Sequence, residues 1–130
     1  MMTIYLATPV NGRKEKTLEQ KRWAAWKRIV QMMEYLKPKF GEAQFVSSFD
    51  FCPVHSQETK TEAEIMGWCV QRVMTSDLVI LDSENSLNSK GMIVESYVAR
   101  IYGIKVRTLK HYQMMEQLDE TIKLFRWLRC

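Results

Sequence analysis

Four consecutive apolar residues, Leu78-Val79-Ile80-Leu81, stand between two aspartates, Asp77 and Asp82. Successive side chains of a strand point to opposite faces, so a half-buried strand alternates apolar with polar. A run that is apolar at every position must be covered on both faces, as a central parallel strand is when helices lie above and below the sheet. The rest of the chain supplies those partners. Thr3 to Thr8 is a short apolar run closing in the turn cluster Thr8-Pro9-Val10-Asn11-Gly12. Glu15 to Leu36 has helical spacing, with Leu18, Trp23, Trp26, Ile29, Val30, Met33 and Leu36 as its apolar stripe, and Lys37-Pro38 and Gly41 end it. Gln44 to Phe49 reads as a second strand and Asp50 to Glu58 as a loop. Thr59 or Thr61 caps a helix running to about Thr75, and Thr61 has Glu64 at capping-box spacing. Gly91 to Tyr102 is helical and Gly103 suits its left-handed C-cap. Ile104 to Leu109 is a strand, and Tyr112 to Leu128 a terminal amphipathic helix. The expected fold class is α/β: four strands near 3–8, 44–49, 77–82 and 104–109, all parallel, alternating with four helices on both faces. There is room for a fifth short strand near Phe51.

At 130 residues the chain matches one domain, able to bury its own core without staples. Cys52, Cys69 and Cys130 form no C-x-x-C pair, so a reducing, cytoplasmic setting is expected rather than a disulfide framework. The start reads as a first strand, not a signal peptide, and no stretch is long and apolar enough for a membrane span. The net charge of +4 is spread over two helical segments and interleaved with acids, which describes solvated helix faces rather than a nucleic-acid surface. His55 and His111 lack carboxylates at ligand spacing, so no metal is expected.

Open parallel sheets bind ligands at the carboxyl ends of their strands, near the switch in strand order. That places a candidate site on the loops Thr8–Arg13, Asp50–Glu58 and Asp82–Glu95. In the first, Gly12 permits close backbone approach, and the following helix start offers free N–H groups to an anion. The same residues also describe an ordinary βα turn. In the third, Glu95 sits one turn into a helix opened by Gly91, flanked by Ile93, Val94, Val98 and Ala99, which are expected to face the core. A partly desolvated carboxylate there can attack a sugar carbon, because the transition state is cationic. By pattern alone Glu95 is equally a surface glutamate. Trp23, Trp26, Trp68 and Trp127 read as packing or oligomer contacts.

Taken together, Ile4-Tyr5-Leu6-Ala7-Thr8-Pro9-Val10-Asn11-Gly12, Asp77-Leu78-Val79-Ile80-Leu81 and Ser89-Lys90-Gly91 followed by Glu95, Ala99 and Gly103 resemble the nucleoside 2-deoxyribosyltransferase superfamily. The likeness covers roughly residues 3 to 109 and is nearest a small phage and bacterial branch. It implies a flavodoxin-like (Rossmann-like) three-layer sandwich with a parallel sheet of four or five strands. It implies cleavage or transfer at the N-glycosidic bond of a (deoxy)nucleoside or its 5′-monophosphate, with no cofactor. Glu95 is then the nucleophile at C1′. Ser89 and Gly91 hold phosphate or sugar, and Tyr5 with the loop carrying Thr8, Asn11 and Gly12 forms the base and sugar pocket. From their place on the strand-end loops, Arg13 and Asp82 are expected to border the same substrate. Cys69 stands where the resemblance calls for an aspartate that assists the leaving base; Asp50, His55 and Glu64 are the alternative acids. The other reading is a catalytically impaired nucleotide-binding module on the same scaffold. A homodimer or larger assembly is expected, because such pockets are often completed across a dimer and the helices after strands one and two carry surplus Trp and Met.

Overall fold

Both aspartates that bracket the apolar run act at the ends of one seam. The structure, a computed structural model, describes residues 1–10, 13–51, 60–82 and 90–129. The run forms β3 (Leu78–Leu81), which pairs in parallel with β1 (Thr3–Ala7) on one side and β4 (Lys105–Thr108) on the other. At its start, the Asp77 carboxylate accepts the Thr3 N–H at 2.7 Å. At its end, the Asp82 N–H donates to the Ala7 carbonyl at 2.9 Å. With β2 (Gln44–Val46) on the far side of β1, the order is β2-β1-β3-β4, all parallel, the core of a flavodoxin-like three-layer sandwich. The chain steps from β1 outward to β2 and then back across to β3, so the switch in strand order falls between β1 and β3.

Alternation along β1 and β3 builds two cores. Ile4, Leu6, Leu78 and Ile80 face α1 (Leu18–Phe40) and the start of α5 (Leu109–Arg129), packing on Ala25, Ile29, Met32, Leu36 and Leu109. Tyr5, Ala7, Val79 and Leu81 face α3 (Glu62–Met74) and α4 (Lys90–Ile101), packing on Cys69, Val73, Met92 and Ala99. All four β3 side chains are buried, as the unbroken apolar run requires.

Several expected boundaries move, each for a local reason. The second strand ends at Val46, because the Asp50 carboxylate accepts the Ser47 N–H and the Ser47 hydroxyl accepts the Phe49 N–H. Those caps turn the chain into a short helix, α2 (Ser48–Phe51), where a fifth strand had room. The first helix begins at Leu18, behind a capping box of Thr17 and Gln20. It runs through Pro38 to Phe40, since a proline in the last turn forfeits only one hydrogen bond. Helix α5 starts at Leu109 rather than Tyr112: Thr108 Oγ1 accepts the His111 N–H and Leu109 is buried in the core. Thr61 is the N-cap of α3, and Gly103 closes α4 at φ +71°.

Candidate functional site

The inner line of α4 is polar where an ordinary helix would be apolar. Met92, Glu95, Ser96 and Ala99 recur at helical spacing and are all buried. Ile93 and Val94, expected in the core, are exposed instead. Counting apolar residues selects the wrong face here, because the true inward face carries Glu95 and Ser96. Gly91 lets this helix approach α3: a side-chain carbon added there would sit 3.1 Å from Met66 Cε.

Glu95 lies against the sheet beneath Tyr5. The Tyr5 hydroxyl donates to Glu95 Oε1 at 3.2 Å, while Oε2 is buried with no hydrogen-bond partner among the described residues. Burial dominates the carboxyl and pushes its pKa up from 4.5 to about 8, the Tyr5 hydrogen bond opposing it. The Cys69 thiol, projecting from α3, is pushed up to about 12 by burial and then by the nearby Glu95 charge, with a Tyr5 hydrogen bond opposing. The Tyr5 phenol is raised well above 10 by burial, then by Glu95 and Cys69. Three titratable groups from three elements thus share one buried space, and at neutral pH most of the Glu95 population holds its proton.

A second cluster sits at the switch point, on the α1 face. Thr8 and Asp82 continue β1 and β3 by one residue, and alternation turns both toward α1. Thr8 Oγ1 donates to Asp82 Oδ2 at 2.8 Å, and Arg13 Nη2 donates to Thr8 Oγ1 at 2.9 Å. Arg28 of α1 grips Asp82 Oδ1 through Nε and Nη2, both at 2.7 Å, and Arg13 Nη2 lies 4.0 Å from Oδ2. Arg13 is further fixed by donating from Nε to the Pro9 carbonyl at 2.8 Å. Two guanidinium groups meet one carboxylate, so the cluster carries a surplus positive charge at the carboxyl edge of the sheet.

The two clusters gather Tyr5 with Glu95, and Thr8 with Arg13 and Asp82, on opposite faces of the sheet. Asn11, Gly12, Ser89 and His55 lie outside the described residues. Of the alternative acids, Asp50 caps Ser47 on the α1 face, and Glu64 is exposed at the α3 cap, where its N–H donates to Thr61 Oγ1. Arg28 went unnoticed in the sequence, since nothing local marks one arginine of a long charged helix. Asp50 also borders a cavity of about 60 Å3 beside Leu6, Trp26, Ile29 and Phe45, with room for a few waters but not for a nucleobase. Among the described residues no group of three or more His, Cys, Asp and Glu is arranged for a metal ion, and no helix is long and apolar enough to cross a membrane. No protein-family model and no curated protein matches this chain.

Proposed function

We propose that the protein cleaves, or transfers across, the N-glycosidic bond of a (deoxy)nucleoside or nucleoside 5′-monophosphate, with Glu95 as the nucleophile. The observation that carries the reading is the buried Glu95 carboxyl, oriented by Tyr5 through Oε1 and with no partner for Oε2 among the described residues. A buried carboxylate oxygen without a partner is costly, and such groups concentrate where chemistry needs them. The deoxyribosyltransferase-like order of motifs assigns the same residue the same role.

In this mechanism ionised Glu95 attacks C1′ through one oxygen, and the C1′–N bond breaks. The base departs with the bonding pair and takes a proton from water. Negative charge fixed in a dry site favours the oxocarbenium-like transition state. The resulting sugar ester is released by water, or by the nitrogen of a second base. Tyr5 positions the attacking carboxylate. The surplus charge of Arg13 and Arg28 against Asp82 supports an anionic substituent, such as a 5′-phosphate, at the carboxyl edge. Cys69, with its pKa near 12, is a poor proton donor to the base, which favours slow turnover.

That thiol also supports the second reading, a nucleotide-binding module with little or no turnover. One experiment separates them: incubation with a panel of nucleosides and nucleoside monophosphates, with chromatography for free base. Base release that vanishes in Glu95→Ala is the expected result. Thermal stabilisation by a nucleotide with no base released from any panel member overturns the enzymatic reading in favour of the module. A homodimer or larger assembly belongs to either reading.

A further inference from the structure

Beyond its first turns, helix α5 carries most of its apolar residues, Leu124 and Trp127 excepted, on the side turned away from its own domain. Its inward line is Leu109, Tyr112 and Glu116. Leu109 is buried, Tyr112 packs edge-on against Phe40 at 5.4 Å, and Glu116 accepts from the Tyr35 hydroxyl at 2.6 Å and pairs with Lys39. From Gln113 to Arg129 every residue is exposed. Met115, Leu118, Ile122 and Phe125 nevertheless recur at three- and four-residue steps, with Met114 and Leu128 alongside. Leu118 is 59% and Phe125 61% exposed. Spacing of this kind is the seam of a coiled coil.

We propose that this face of α5 pairs antiparallel with α5 of a second copy of the chain. The inference does not depend on the activity proposed above. Antiparallel register about a two-fold axis near Glu120 sets Met115 against the partner's Phe125, Leu118 against the partner's Ile122, and Met114 near the partner's Leu128. It also brings the two edge charges into opposition. Asp119 and Arg126 lie on the same flank of the seam. Each Asp119 is offset from the partner's Arg126 by about 7.5 Å along the axis, a step the long arginine side chain can span. Parallel pairing sets those residues against Met114 and Thr121 instead. Six apolar side chains from each copy, with these flanks, fit the lower end of stable interfaces, about 1,200 Å2 in total. An anionic membrane is the lesser fit, because Glu116, Asp119 and Glu120 occupy the middle of the helix.

Sedimentation velocity across a concentration series tests the pairing. The expected result is a dimer at micromolar concentration that becomes a monomer in Leu118→Asp/Ile122→Asp, with circular dichroism and thermal unfolding showing the domain still folded. Asp119→Arg and Arg126→Asp should each raise the dissociation constant about 10-fold, since each reversal sets like charges together twice per dimer. The double variant Asp119→Arg/Arg126→Asp should return to within about 3-fold of the wild type. A wild-type monomer at about 100 μM, far above the range of a stable pair, overturns the proposal. So does a dimer indifferent to these substitutions, or a monomer that instead sediments with anionic phosphatidylserine vesicles.

Discussion

Because Glu95 keeps its proton up to about pH 8 in the fold, against 4.5 ordinarily, unfolding releases a proton throughout that interval. Its contribution to stability is therefore fully present below about pH 4.5, falls by at most about 1.4 kcal/mol per pH unit as pH rises, and levels off above about pH 8. Glu95→Gln retains a partner for the Tyr5 hydroxyl and has no proton to lose. It should unfold at a higher temperature than the wild type at pH 8 and show no such gain at pH 4, as read by thermal melts at the two values. Catalysis moves the other way. A nucleophilic Glu95 must be ionised, so kcat/KM should climb about 10-fold per pH unit below 8 and then flatten. A rate independent of pH between 6 and 9 would remove Glu95 from that role. Position 69 offers a second test: Cys69→Asp sets two carboxyls close together, where one retains a proton for the departing base. Base release should increase by up to about 10²-fold.

Among the elements, β3 was the most legible. Four buried positions leave only one kind of environment, and its bracketing acids mark the seam with β1. Gly103 was equally readable, because a positive φ needs a particular residue type, and Thr61 is the one of two threonine caps, Thr59 or Thr61, that the structure uses. Gly103→Ala should cost about 1–2 kcal/mol, visible as a drop of several degrees in thermal unfolding. Helix α4 was misread for a physical reason: Glu95 and Ser96 lie on the buried line, so its apolar residues Ile93 and Val94 fall outside. The Arg28–Asp82 pair joins residues 54 positions apart and leaves no local trace. Asp82→Ala would strand Arg28 and Thr8 at the switch point and should cost about 1–3 kcal/mol.

For the whole molecule, strand order decides what can cooperate. Placing β1 and β3 side by side brings Thr8 and Asp82 together at the carboxyl edge on the α1 face, while Tyr5, in the middle of β1, sits over Glu95 on the other. Sequence order places these residues on successive loops but does not say which face each side chain takes. Alternation within the strands decides that. The proposed pairing would put self-association on the exposed seam of α5, apart from the Trp and Met of the earlier helices. The most direct test of the proposed chemistry is intact-mass analysis of the protein mixed with a nucleoside or nucleoside monophosphate and quenched in acid, followed by peptide mapping. A mass increase equal to the sugar or sugar phosphate, located on Glu95 and absent from Glu95→Gln, is the predicted result. Free base formed with no adduct on Glu95, and released equally by Glu95→Gln, would contradict the account.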